Sequence, residues 1–178
     1  MGECRNGFAR YTRGMMNLMA GVFVAFGTLT QPDPLPAEIV GRVTAVIDAD
    51  RVRDEIEHLV GFHTRHTLSD TESDDSGIGA ARRWLKSEFE SMAGEAGRDD
   101  VTVALEAHHI EADGRRIDRA VDVVNVVCTI PGSMPEASGR LYYVIGHYDS
   151  RASDAMDAER AAPGANDDGS GTVVCLEV

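Results

Sequence analysis

The sequence has a deficit of basic residues and few cysteines. Its 178 residues include 17 Lys and Arg against 30 Asp and Glu, for a net charge of −13. A nucleic-acid-binding surface needs Lys and Arg in excess, so this deficit argues against a nucleic-acid partner. The 3 cysteines are too few for a disulfide framework, and none has the CxxC spacing of a cysteine-ligated zinc site. The apolar fraction of 43% is that of a globular protein.

A long apolar run is also missing. Residues 15–30 are mostly apolar and follow Arg5, Arg10 and Arg13, but they fall short of the ~20 residues that a membrane-spanning helix needs. A basic segment followed by a short apolar one is typical of an export signal. We predict a signal peptide or N-terminal anchor over residues 1–31 and a periplasmic or extracellular protein. Contact with a membrane is expected only if this segment is not cleaved.

Two helices are predicted in the first half of the remaining chain. Apolar residues recur at helical spacing from Asp48 onward, and Asp48 or Asp50 can cap the start. A second helical pattern begins after Ser76 and ends at residues 94–97, where glycines follow. The stretch between them, residues 63–76, is polar and predicts a solvated loop.

Strands are predicted in the second half. Residues 101–107 alternate between apolar and polar, as in a half-buried strand, and Asp113-Gly114 is a hairpin turn signal. The return strand, residues 121–130, is nearly all apolar, which predicts cover on both faces. Residues 141–145 (LYYVI) are also apolar and predict a central strand of an α/β sheet. A third helix is predicted to begin at Gly169.

Two polar motifs near the C-terminus carry the candidate chemistry. GHYDSR covers residues 146–151, and APGANDDGSG covers residues 162–171. Side chains two apart on a strand point the same way, so Asp149 can hold the second ring N–H of His147 and leave the other nitrogen free for a metal. An aspartate at a glycine-rich helix start, such as Asp167, can bridge two metal ions through its two oxygens.

Each motif has a simpler explanation when taken alone. A histidine after a strand is commonly a hydrogen-bonded structural residue, and DDG is commonly a turn with a helix cap. Their joint occurrence, after a predicted buried strand, favours a metal site. The other histidines lack ligand-like spacing, and we predict structural or solvent-facing roles for His58, His63, His66, His108 and His109.

At these two motifs the sequence resembles the co-catalytic zinc exopeptidases of metallopeptidase family twenty-eight, of the bacterial leucyl aminopeptidase and aminopeptidase Y type. The resemblance extends more weakly upstream, to about Asp48. It implies a three-layer α/β/α sandwich with a mixed central sheet over residues 48–178, preceded by a linker at residues 32–47. It also implies a hydrolase that acts on peptide or protein N-termini.

The resemblance also implies roles for single residues. His147 corresponds to a zinc ligand, Asp149 to the catalytic-site carboxylate that orients it, and Asp167 to the aspartate that bridges two zinc ions. Asp168 corresponds to a neighbouring structural residue. The family's glutamate base and remaining ligands follow the DDGSG motif, whereas this sequence ends at Val178. We therefore expect the N-terminal portion of such an enzyme, inactive by itself.

Two alternatives stay open from the sequence. A glutaminyl-cyclase-like acyltransferase shares the architecture and uses one zinc ion. A non-catalytic binding domain with the same fold would not need the missing ligands.

Overall fold

The computed structural model describes residues 36–178, in which residues Gly41–Val178 form one compact unit. The predicted signal peptide lies outside the described residues. The described residues contain four α-helices and two strands. The helices are α1 (Ala37–Thr44), α2 (Ala49–Gly61), α3 (Gly77–Glu95) and α4 (Ser170–Glu177), and the strands are β1 (Thr102–Ile110) and β2 (Val121–Thr129). None of these helices has the length and apolar character that a bilayer crossing requires. This mixture of helices and strands agrees with the predicted α/β class.

The two helices predicted in the first half are confirmed. The Asp48 carboxylate caps α2 by accepting a hydrogen bond from the Asp50 amide at 2.8 Å. Ser76 is the N-cap residue of α3 by backbone conformation, although its side chain makes no capping hydrogen bond. Helix α1 lies within the segment predicted as a linker, and all its residues are exposed.

The core forms where α2, α3 and α4 meet. Its fully buried cluster comprises Leu59, Phe62, Ala80, Ala81 and Val173. Each large apolar side chain buried in this way contributes about 1.5–3 kcal/mol. Because Val173 belongs to α4, the cluster holds α4 against α2 and α3. It thereby fixes the start of α4, which the DDG motif precedes.

The predicted hairpin is also confirmed. Strands β1 and β2 pair antiparallel, from Thr102 opposite Thr129 to Ile110 opposite Val121. In the connecting turn, the Asp113 carboxylate accepts hydrogen bonds from three successive amides, those of Arg115, Arg116 and Ile117. The prediction that both faces of β2 are buried is wrong in the described residues, since no β2 residue is fully buried.

Two further predictions are wrong in the described residues. Residues 141–145 form no strand, and their side chains are 52–85% exposed. A strand requires a neighbouring backbone for its hydrogen bonds, and within residues 36–178 β1 and β2 pair only with each other. The loop at residues 63–76 is not simply solvated, because Thr64, Arg65 and His66 are buried.

Candidate metal centre

The HxD motif lies on a segment outside the helices and strands, and Tyr148 anchors this segment to the core. The Tyr148 hydroxyl donates a hydrogen bond to the Val124 carbonyl of β2 at 2.6 Å, and its ring packs against the buried cluster. Burial raises the pKa of Tyr148 to about 12, so the phenol remains a hydrogen-bond donor at neutral pH. The side chains of His147 and Asp149 are 56% and 48% exposed.

The DDG motif lies in a tight turn that leads into α4. The turn covers Ala165–Gly169 and follows Gly164, whose φ of 49° is in the left-handed region. A β-carbon at Gly164 would lie 2.6 Å from the β-carbon of Ser150, so glycine is needed there for space as well as conformation. The peptide bond between Asp167 and Asp168 is cis.

Asp168 connects the two motifs. Its carboxylate accepts one hydrogen bond from the Gly171 amide at 3.0 Å and another from the His147 amide at 3.2 Å. A β-carbon on Gly171 would overlap this carboxylate, so the first turn of α4 can approach it only with glycine there. These contacts agree with the structural role expected of Asp168.

The structure brings His147, Asp149 and Asp167 together. Nδ1 of His147 lies 3.2 Å from Oδ1 of Asp149, and Nε2 lies 3.2 Å from Oδ1 of Asp167. With the ring proton on Nδ1, Asp149 accepts it and Nε2 presents a lone pair to the Asp167 carboxylate. Two lone-pair donors at this separation attract a proton or a metal cation between them.

This donor set fits zinc by its chemistry. Imidazole nitrogen and carboxylate oxygen are both ordinary zinc ligands. The Asp167 side chain is 90% exposed, which leaves its oxygens accessible to an ion. No group of three or more His, Cys, Asp or Glu side chains within residues 36–178 is arranged to hold a metal. The described residues therefore supply two converging donors.

Arg65 is the residue of this region that the sequence analysis missed. Its side chain is fully buried and its guanidinium donates hydrogen bonds to carbonyls in both motif-bearing segments and in α2. Desolvation lowers the pKa of Arg65, and the nearby charge of Asp149 opposes this change. A single arginine in a polar stretch carries no periodic or motif signal, so only the tertiary structure reveals it.

The remaining histidines have structural or surface positions, as predicted. His58 stacks on Trp84 with ring centroids 4.6 Å apart. His66 is buried, and its Nε2 lies 3.0 Å from the Ala155 carbonyl. On the hairpin, Nδ1 of exposed His109 lies 2.8 Å from the Asp122 carboxylate.

The similarity of this chain to known proteins includes the region of the two motifs. The model of peptidase family M28 matches residues 125–178, which include both. The chain is 42% identical over 146 residues to a probable zinc metalloprotease of Leptosphaeria maculans, covering 82% of this chain and 33% of that protein. It is 44% identical over 133 residues to a probable zinc metalloprotease of Pyricularia oryzae, covering 74% of this chain and 26% of that protein.

A more distant relative has a more specific name. The chain is 29% identical over 131 residues to leucine aminopeptidase 1 of Coccidioides posadasii, covering 74% of this chain and 29% of that protein. The chain thus spans between about a quarter and a third of the length of these three relatives. Both motifs, the family match and the relatives agree: the chain belongs to peptidase family M28.

Proposed function

We propose that the whole protein is a zinc metallopeptidase in which His147 and Asp167 bind metal and Asp149 orients the histidine. The observation that carries this proposal is the 3.2 Å approach of His147 Nε2 to the Asp167 carboxylate, with Asp149 at the other ring nitrogen. The relatives named zinc metalloproteases support the choice of zinc and of peptidase chemistry.

The roles of the three side chains follow from their positions. Asp149 accepts a hydrogen bond from the protonated Nδ1 of His147, which keeps the Nε2 lone pair directed at Asp167. With its two carboxylate oxygens, Asp167 would help to hold two ions. Bound zinc would lower the pKa of a coordinated water and polarise the scissile carbonyl. The Asp168 carboxylate accepts a hydrogen bond from the His147 amide, and this bond limits movement between the two motifs.

Metal binding can be tested on the purified chain with Co²⁺ as a spectroscopic substitute for zinc. His147→Ala and Asp167→Asn should each abolish the ligand-field absorption. His109→Ala is a matched control, because His109 also pairs with an aspartate, Asp122, on the exposed hairpin. Equal binding by His147→Ala and the unsubstituted chain would refute the assignment, as would loss of binding in His109→Ala alone.

The proposal extends to an aminopeptidase acting on peptide or protein N-termini. It is supported by the relative named leucine aminopeptidase 1. The whole protein should hydrolyse leucine p-nitroanilide and leave the N-acetylated compound intact, since an aminopeptidase requires a free amino group. Cleavage of both compounds would contradict it. Cyclisation of an N-terminal glutamine, without hydrolysis, would instead favour the acyltransferase alternative.

The finer fold and the location belong to the same proposal. In the whole protein, residues 48–178 would form part of a three-layer α/β/α sandwich with a mixed central sheet. The apolar side chains of residues 141–145, 52–85% exposed in this chain, support this, because a further layer would cover them. Cleavage of the predicted signal peptide on export would remove residues 1–31, so mass spectrometry of the mature protein should find its first residue after position 31. An intact Met1 on a membrane-free protein would contradict export.

A further inference from the structure

Arg65 is a buried cation that no carboxylate neutralises directly. Its side chain is 1% exposed, and none of the ion pairs within residues 36–178 includes it. Carbonyl oxygens surround the guanidinium instead. Burying a charge without an ionic partner is unfavourable unless hydrogen bonds replace its hydration. Four hydrogen bonds to backbone carbonyls supply that replacement for Arg65.

The carbonyls that Arg65 binds belong to three separate segments. Nε donates to the Tyr148 carbonyl at 2.6 Å, between His147 and Asp149 of the HxD motif. On the other side, Nη1 donates to the Pro163 carbonyl at 2.8 Å and Nη2 to the Gly164 carbonyl at 3.0 Å.

Pro163 and Gly164 directly precede the turn Ala165–Gly169, which contains Asp167. The third segment is α2, where Nη1 donates to the Leu59 carbonyl at 2.7 Å. One planar guanidinium, with its donors in a fixed fork, therefore joins the HxD segment, the DDG turn and the helical core.

Backbone contacts around Arg65 place its segment between the two motifs. The Ser150 amide donates to the Arg65 carbonyl at 3.1 Å, and the Arg65 amide donates to the Ser150 hydroxyl at 3.0 Å. That hydroxyl donates to the Ala162 carbonyl at 2.6 Å, and Thr64 forms a parallel bridge with Ala162. A substitution at Arg65 leaves these contacts available, so it tests the guanidinium rather than the whole segment.

From these contacts we propose that Arg65 is a positioning residue, whose guanidinium sets the separation of His147 and Asp167 and so holds the two metal ligands in binding geometry. The role depends on the metal site proposed above. A lysine cannot reproduce it, because one ammonium group lacks the fork that reaches carbonyls in three segments at once. An apolar side chain of similar length fills the space but provides no donors.

The test compares Arg65→Lys and Arg65→Met with Arg83→Met in the whole 178-residue chain. Arg83 is a matched control, because its guanidinium also donates to backbone carbonyls, those of Thr71, Glu72 and Ser73, away from both motifs. Titration with Co²⁺ should show affinity lowered about 10- to 100-fold in both Arg65 variants and unchanged in Arg83→Met. In a third variant, Arg65→Ala, added methylguanidinium should restore part of the Co²⁺ affinity, whereas sodium chloride at equal ionic strength should not.

Hydrogen exchange without metal gives a second measurement. In Arg65→Lys, the amides of Ser150 and Gly169 should exchange faster, while those of α3 keep their protection. If Arg65→Met does not fold, Arg65→Lys decides the question. Folded Arg65 variants that bind Co²⁺ as tightly as the unsubstituted chain would overturn the proposal. Exchange that increases equally in α3 would also overturn it, by showing a general structural role.

The same two measurements separate this proposal from the proposed function. If the unsubstituted chain binds no Co²⁺, the two donors that it supplies do not suffice to hold the ion, and metal binding by this chain alone is refuted. Exchange then still decides whether Arg65 holds the two segments together: a selective increase near both motifs supports that, and an unchanged pattern contradicts it.

Discussion

Replacing Glu55 with glutamine should remove a pH dependence that one buried carboxyl imparts to the stability of the fold. Glu55 lies on α2 and is 7% exposed, and its Oε2 is the one buried side-chain nitrogen or oxygen without a hydrogen-bond partner in residues 36–178. Burial is the largest cause that raises the pKa of Glu55 from 4.5 to about 7, followed by the negative charge of Glu177. The positive charge of Arg51 opposes this rise.

The direction of the effect follows from the raised pKa. A carboxyl that binds its proton more tightly in the folded state stabilises the fold at acid pH. This contribution is fully present below pH 4.5 and is lost as the pH rises through about 7. At about 1.4 kcal/mol per pH unit, the difference between 4.5 and about 7 amounts to about 3 kcal/mol of unfolding free energy. The glutamine amide does not titrate, so the E55Q variant should not show this loss.

Urea unfolding followed by circular dichroism measures the effect directly. The free energy of unfolding of E55Q minus that of the unsubstituted chain should rise by about 3 kcal/mol between about pH 4 and about pH 8. The control is Glu57→Gln, the same change at an exposed position of α2, whose curve should parallel that of the unsubstituted chain. A difference for E55Q that does not vary with pH would show that the carboxyl is not protonated preferentially in the folded state.

Three further substitutions test other parts of the structure. Leu59→Ala, at a fully buried position of the core cluster, should lower the free energy of unfolding by about 2–5 kcal/mol in urea, and a loss below ~1 kcal/mol would contradict the packing. Ser150→Ala removes a buried hydroxyl that hydrogen-bonds to the Ala162 carbonyl and should cost about 1–3 kcal/mol in the same assay; an unchanged free energy would contradict that bond. Gly171→Ala would displace the Asp168 carboxylate, so Co²⁺ affinity should fall while the helical circular dichroism is retained; unchanged affinity would contradict that contact.

Local structure could largely be predicted from the sequence, because its causes lie within a few residues. The Asp48 cap, the helical spacing of α3 and the Asp113 turn are short-range features, and each is present in the structure. The proximity of the His147 ring to the Asp149 carboxylate is another, since the two residues are only two positions apart.

Predictions that depended on distant partners were less successful. Apolar composition suggested that residues 141–145 form a buried strand, yet burial and pairing require a neighbouring backbone that the described residues do not provide. Polar composition suggested that residues 63–76 are solvated, yet Arg65 is buried because carbonyls from three other segments surround it.

The sequence by itself determined the donor types and their local arrangement: an imidazole with a carboxylate two residues away, and a second carboxylate at a glycine-rich turn. The tertiary structure decided that these donors meet, with Nε2 of His147 3.2 Å from the Asp167 carboxylate. That approach joins two separate stretches of the chain and depends on contacts no local pattern encodes. The hydrogen bond from the His147 amide to Asp168 and the guanidinium of Arg65 hold the two segments together, and Tyr148 anchors the first of them to β2.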